Sequence, residues 1–235
     1  MTAESATHQG LIRENNEDRY LVQPLENGST LLALADGMGG HAGGEVAAEL
    51  ALQSLAKVGA ASADPIRELL DALHDAQRFI LEASRFDRSL RGMGTTLTAV
   101  VISGAAAFWM HAGDTRLYLF RQGVLHQITD DHTIPGMLLK KGEISREEAR
   151  LHPYGNVLTK CIGCERFEPD TGTFEVRPQD LIMLSSDGLH DLIADSDVAA
   201  ILSLDIGLKE KLDRLIEKGL SAGGRDNITA ILAGI

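Results

Sequence analysis

The stretch Leu32-Ala33-Leu34-Ala35-Asp36-Gly37-Met38-Gly39-Gly40-His41-Ala42-Gly43-Gly44 reads as an apolar strand that stops at an acid and a run of small residues. The same layout recurs along the chain. Residues 110–120 carry Asp114 at a Gly-preceded break between two apolar runs, residues 181–192 end a strand in Asp187-Gly188, and residues 223–232 put Asp226 just ahead of a last strand. Residues 10–20 add Glu17 and Asp18 at the start of the first strand. Asp and Gly are poor strand residues, so each junction marks where a strand gives way to a turn.

Apolar runs of strand length lie at 30–35, 95–102, 105–110, 117–120, 181–184 and 228–232, and Arg121-Gln122-Gly123-Val124 reads as a hairpin turn. Helices are fewer and longer. Residues 65–86 place Ile66, Leu69, Leu70, Leu73, Ile80 and Leu81 on one face, interrupted only by Gln77, behind Asp64 as N-cap and Pro65 in the first turn. Residues 46–58 and 208–220 predict two more helices, and Ser145 with Glu148 has capping-box spacing for a short one. The order is strands, two helices, many strands, a small helical insertion near 133–153, then strands, helix and a last strand. This is no repeating βαβ alternation, so the expected class is α+β, with antiparallel sheets and helices packed outside.

The 235 residues suit one domain of good size, and the charge, 22 basic against 34 acidic for a net of −12, argues against a nucleic-acid-tracking surface. No apolar run reaches the roughly 18–20 residues of a membrane span, and the polar N-terminus does not read as a secretory signal. Two cysteines are too few for a disulfide framework, so the expected setting is the reducing cytoplasm. Acids leaving apolar strands sit half desolvated, and if they converge they cannot all stay ionised without compensation. Lys and Cys are absent from these stretches, the Arg residues in them are fewer than the acids, and His keeps no common spacing to the acids. A hard divalent cation, Mg2+ or Mn2+, held by oxygen is the economical answer.

Taken in order, Arg13, Glu17-Asp18, Asp36-Gly37-Met38-Gly39-Gly40-His41, Gly94-Thr95-Thr96, Gly113-Asp114-Thr115-Arg116, Asp131-His132, Ser186-Asp187-Gly188-Leu189 and Asp226-Asn227 resemble the metal-dependent protein phosphatases of type 2C in their compact bacterial form. The resemblance runs from about residue 7 to residue 233. It implies a four-layer α-β-β-α sandwich, with two central antiparallel sheets and two metal ions at one end. By motif position Asp36 would bridge both ions, Asp187 and Asp226 would complete one site, and the Gly37 carbonyl would serve the other. Asp114 with Asp187 is similar to the pair that holds a weaker third ion, Asp18 to the residue that hydrogen-bonds the reacting water, and Glu17 to an outer-shell group. Arg13 matches the arginine that clamps the substrate phosphate.

The implied reaction is hydrolysis of phosphoserine or phosphothreonine in proteins, by in-line attack of a water or hydroxide shared by two ions, with no covalent phosphoenzyme. The implied partners are phosphorylated proteins, a Ser/Thr kinase and its targets among them, met by a monomer without nucleic acid or membrane. A general-acid His found after the Asp-Gly in some members is Met38 here, leaving His41 as the nearest alternative. Residues 133–155 resemble the flap beside the family's catalytic cleft, within a single domain of residues 1–235. Three features are open from sequence: Cys161-x-x-Cys164 is either a redox or metal pair or a coincidence, Asp191 reads as a local cap, and Asn227 as a residue fixing the loop of Asp226. Competing readings are a silent phosphoprotein-binding module on the same fold, against which every main carboxylate is present, and a phosphodiester or nucleotide hydrolase, against which the net charge counts.

Overall fold

Residues 31 to 35 are apolar without interruption because they are buried on both sides. Leu31, Ala33 and Ala35 face one apolar layer, and Leu32 and Leu34 face another. The same division splits the final strand, where Ala230 and Leu232 point one way and Ile231 and Ala233 the other. Strands covered on both faces lose the polar alternation of a solvent-facing sheet, and two such sheets stacked together require helices outside.

The computed structural model describes residues 1–26, 28–39, 43–59, 64–165 and 167–235. The chain runs β1 (Thr2–His8), β2 (Asp18–Pro24), β3 (Thr30–Met38), α1 (Gly43–Leu55), α2 (Pro65–Phe86), β4 (Gly94–Thr95), β5 (Leu97–Ser103), β6 (Ala106–Ala112), β7 (Arg116–Arg121) and β8 (Val124–Gln127). It continues with α3 (Ile134–Lys140), α4 (Arg146–Arg150), β9 (Asp170–Glu175), β10 (Leu181–Ser185), α5 (Asp187–His190), α6 (Asp195–Leu202), α7 (Leu208–Ser221) and β11 (Ile228–Gly234). One sheet has the order β1-β11-β10-β7-β8 and the other β2-β3-β5-β6-β9, with β4 added beside β3. Every pairing is antiparallel. Leu32, Val100, Leu117, Ile182 and Ile231 fill the layer between the sheets. One outer layer joins α1 and α2 to the second sheet, and the other joins α5, α6 and α7 to the first. The α+β sandwich expected from the sequence is thus the observed architecture. Among the described residues no helix is long and apolar enough to cross a membrane.

Local chemistry sets the element ends. Asp64 accepts from the Arg67 N–H ahead of Pro65, and Ser145 and Glu148 cap each other's backbone at α4. The 121–124 turn joins β7 to β8 with Gln122 at φ 51 and Gly123 at φ 82, the left-handed pair that matches strand twist. Helix α1 starts at Gly43, earlier than the expected residue 46, and ends at Leu55. Its glycine entry has a steric cause: a Cβ on Gly44 would lie 2.7 Å from the Gly37 carbonyl carbon, and one on Gly37 would lie 2.2 Å from the Gly44 carbonyl oxygen. Side chains on either would drive the helix off the strand end that carries Asp36.

Two features go beyond the sequence expectation. Strand β1, Thr-Ala-Glu-Ser-Ala-Thr-His, has no apolar run and forms because β11 offers it a pairing edge from Thr2↔Gly234 to His8↔Ile228. Cys161 and Cys164 are joined as a disulfide, with Cα atoms 5.4 Å apart, which settles a spacing that the sequence leaves open between a redox or metal pair and a coincidence.

Candidate functional site

The antiparallel registers gather the acid-bearing junctions at one end of the sandwich. Asp18 opens β2 directly across from Asp36 near the end of β3. Ser185, at the end of β10, pairs with Arg116 on one side and Ala230 on the other, so Asp187, Asp114 and Asp226 leave neighbouring strands at that same end. Glu17 joins them through its carbonyl, which accepts from the Gly37 N–H at 3.3 Å.

Their electrostatics is that of crowded anions. Burial, then the charges of Asp18, Asp187, Asp114 and Asp226, pushes the Asp36 carboxyl well above the usual carboxylate range. Burial, then Asp114, Asp191, Asp226 and Asp18, does the same to Asp187. Asp114 is raised to about 7, by burial and by Asp131 and Asp191. Burial lifts Asp18 to about 6, even though Ser186 Oγ donates to its Oδ2 at 2.8 Å. Burial also raises Glu17, outweighing the pull of Arg13. Two carboxylate oxygens, Asp18 Oδ1 and Asp187 Oδ1, are buried without a hydrogen-bond partner. Such atoms are costly unless something positive meets them.

Each cation nearby is already paired with one carboxylate. Arg13 Nη2 donates to Asp226 Oδ2 at 2.6 Å, and Arg116 makes a forked pair with Asp131 at 2.6–3.1 Å. Among the described residues no three His, Cys, Asp or Glu side chains already close around one point. The cluster is therefore a convergence of charge rather than a finished chelate, with Asp226 held by Arg13. Its donor set is all oxygen, the set suited to Mg2+ or Mn2+.

Each sequence-singled residue can now be placed. Arg13, Glu17, Asp18, Asp36, Gly37, Asp114, Asp187 and Asp226 all come to this end. Asp191, read from sequence as a local cap, is the C-cap of α5, its N–H donating to the Asp187 carbonyl at 2.9 Å, and it also adds its charge to those on Asp114 and Asp187. Its position four residues after Asp187, across α5, was the signal for this. Met38 lies over Gly94, where a Cβ would be 2.9 Å from its Cε. His41 lies outside the described residues. Thr95 and Thr96 are structural: Thr95 Oγ1 donates to the Asp36 carbonyl and Thr96 Oγ1 accepts the Asp36 N–H. His132 accepts the Gly113 N–H on Nδ1 at 3.2 Å while its own N–H donates to the Gly113 carbonyl at 2.7 Å, which fixes the residue before Asp114. His190 is buried and paired with Ser185 Oγ at 2.8 Å.

Asn227 does more than present Asp226. Its Oδ1 accepts the Glu17 N–H, and its Nδ2 donates to the carbonyls of Gln9 and Asn15, each at 2.8 Å. One amide thus holds both sides of the loop that carries Arg13. Replacing Asn227 with Leu should cost about 2–4 kcal/mol, since buried backbone groups lose their partners. Urea denaturation measures this directly, and a loss below ~0.5 kcal/mol would show that the loop is held by other means.

The raised carboxyls also predict a pH dependence. Asp18 and Asp114 hold protons more tightly in the fold than in the unfolded chain, where Asp titrates near ~4. Their contribution to stability is full below that value and is lost as pH rises through about 6 and about 7. The chelated protein should melt at a lower temperature at about pH 8 than at about pH 5, and Mn2+ should raise melting more at the higher pH. A chelated melting temperature that climbs across this span would contradict the assignment.

The sequence matches the family model described as Protein phosphatase 2C over residues 5–233. The chain belongs to this family. It is 36% identical over 239 residues to the serine/threonine phosphatase stp of Listeria monocytogenes, an alignment covering 99% of this chain and 95% of that protein. The crystal structure of the Mycobacterium tuberculosis serine/threonine phosphatase PstP/Ppp matches with a TM-score of 0.92 and 37% identity, over 100% of this chain and 98% of that one. The catalytic domain of PstP in complex with 2 manganese ions matches with a TM-score of 0.89 and 36% identity, over 99% and 97% of the two chains. This type 2C chain is accordingly a protein serine/threonine phosphatase, and the crowded carboxylates lie in a fold that holds manganese in a relative.

Proposed function

We propose that this phosphatase hydrolyses phosphoserine and phosphothreonine in proteins by direct attack of water, with no covalent phosphoenzyme, and that it reverses the work of a bacterial Ser/Thr kinase on that kinase and its targets. The observation that carries the reading is the set of carboxyls driven up in pKa at one end of the sandwich, with Asp18 Oδ1 and Asp187 Oδ1 buried and unpartnered. In this reading Asp36, Asp187, Asp226 and the Gly37 carbonyl hold two Mg2+ or Mn2+ ions, and Asp114 with Asp187, joined by Asp191, holds a weaker third. Bound there, divalent cations supply a lowered pKa for water and neutralise phosphoryl charge.

The chain's own residues do the rest. Asp18 is oriented by Ser186 and keeps a buried Oδ1 without a protein partner, with which it accepts a hydrogen bond from the attacking water and steers it. Arg13, half exposed at the rim, leaves Asp226 and offers both arms of its fork to the phosphoryl oxygens. Glu17 stands behind both as an outer-shell acid. Residues 133–155 form a flap over the cleft and choose among phosphoproteins, within a single catalytic domain of residues 1–235 that acts as a cytoplasmic monomer.

The test is phosphate release from a phosphopeptide with Mn2+, with and without chelator; activity that survives chelation would sink the reading. Met38 donates no proton, so departure of a poor leaving group relies on water. Met38→His should therefore reshape the acidic limb of the rate profile for an alkyl phosphate while leaving that for an activated aryl phosphate alone. Identical limbs for both would remove the proton-donor argument.

A further inference from the structure

Neither cysteine takes part in the phosphatase chemistry, yet Cys161-Ile162-Gly163-Cys164 lies where several parts of the fold meet. Ile162, between the two sulfurs, is fully buried and exchanges hydrogen bonds with Thr95 in both directions, each at 2.9 Å. Thr95 in turn sits opposite Gly37 and donates its hydroxyl to the Asp36 carbonyl. On the helical side, Gln77 accepts the Gly163 N–H on Oε1 and donates from Nε2 to the Cys164 carbonyl at 3.0 Å. This is why a polar residue interrupts the apolar face of α2. Gly163, at φ +89, has no room for a Cβ, which would lie 2.7 Å from the Met93 carbonyl oxygen. Just upstream, Thr159 N–H donates to the His132 carbonyl and Leu158 bridges to Thr133, the N-cap of α3. Residues 158–164 are therefore a strap from the base of the 133–155 segment, past α2, to the strand behind Asp36. The residues on either side of the cysteine pair, Lys160 and Glu165, line a 660 Å3 cleft together with Met137 and Lys140 of α3.

We propose that Cys161 and Cys164 form a reversible thiol–disulfide couple, oxidised by hydroperoxides and reduced by cellular dithiols, whose state sets how firmly this strap is held. The two sulfurs meet, and a Cα separation of 5.4 Å is one that a disulfide can span. Exposure assigns the roles: Cys161 is 1% exposed and Cys164 is only half buried. The Cys164 thiolate attacks the peroxide, the O–O bond breaks, and the departing oxygen leaves protonated as water or an alcohol, giving a sulfenic acid on Cys164. The Cys161 thiolate then attacks that sulfur, the S–O bond breaks, and hydroxide leaves as water while the S–S bond forms. Two thiols lose two electrons in all and the peroxide gains them. For reduction, an external dithiol attacks the exposed Cys164 sulfur and expels the Cys161 thiolate.

The couple is tested apart from its consequence for activity. The whole chain, reduced with dithiothreitol and then treated with hydrogen peroxide or buffer, is quenched with N-ethylmaleimide and weighed intact. Two adducts in the reduced sample and none after peroxide support the couple, whereas two adducts in both overturn it. Cys161→Ser should let dimedone trap a sulfenic acid on Cys164, and Cys164→Ser should react far more slowly; the reverse order would overturn the assigned roles. Amide exchange in peptides covering residues 92–97 and 157–165 should be roughly 10-fold slower in the oxidised form, because closing the loop restricts its opening. Cys161→Ala/Cys164→Ala should exchange like the reduced form with or without peroxide. Equal exchange in both redox states would show that the disulfide forms without holding the strap, and would overturn the proposal.

Discussion

Asp36→Asn is expected to make the chelated protein harder to melt while slowing phosphate release roughly 10^3-fold or more, the scale of losing a principal electrostatic group at a reacting centre. The two effects have one cause. Asp36 is surrounded by Asp18, Asp187, Asp114 and Asp226, and burial already opposes its ionisation. An amide of the same shape removes that repulsion, and a gain of about 1 kcal/mol corresponds to about 2–4 °C in melting temperature for a chain of this size. The same change removes the oxygen charge through which cations would be held, so calorimetric titration with Mn2+ should show binding weakened by an order of magnitude or more. A variant that is both less stable under chelator and normal in Mn2+ binding would mean Asp36 is an ordinary buried residue and the centre lies elsewhere.

Arg13→Ala is expected to lower kcat/KM for a phosphopeptide by about 10–100-fold, in line with losing a bidentate charge-assisted contact. Its fingerprint is a second measurement. Asp226 accepts from Arg13 at 2.6 Å, and with the guanidinium gone the Asp226 carboxylate is free to turn inward. Mn2+ affinity should hold or rise while catalysis falls, the opposite of what loss of a metal ligand would produce. Arg13→Lys should restore little catalysis, because an ammonium offers a point charge without the planar fork. Equal loss of metal affinity and activity in Arg13→Ala would place Arg13 in support of the loop instead of the substrate.

What the sequence disclosed and what it concealed divide along physical lines. Helix α2 was readable to its ends because its apolar spacing, its Asp64 cap and Pro65 agree with one another. The acid junctions were readable only as an ordered set, because an apolar run that halts at a single Asp is by itself an ordinary turn. Strand β1 was not readable, since Thr, Glu, Ser and His carry no apolar face and only the edge of β11 makes them extended. Asn227 was read as serving the neighbouring Asp226, but its amide reaches Gln9, Asn15 and Glu17, and no local pattern encodes a partner more than two hundred positions away. Asp191 was legible as the cap that closes α5, whereas the charge it adds to Asp114 and Asp187 depends on where the β7 and β10 ends meet, which no local pattern encodes. The Cys161–Cys164 bond was hidden for a third reason, because a C-x-x-C spacing is common to several chemistries and only the surroundings distinguish them.

The pairing of β1 with β11 fixes where additions to this polypeptide emerge. His8 and Ile228 meet beside the carboxylates, whereas Thr2 and Gly234 meet at the far end of the same ladder, roughly 20 Å away at the usual rise per strand residue. Head and tail therefore leave side by side, on the pole opposite the mouth. A reporter, an affinity handle or a neighbouring module fused at either point would ride behind the catalyst without shading its entrance, and a short bridge between the two ends would meet no obstacle in the cleft.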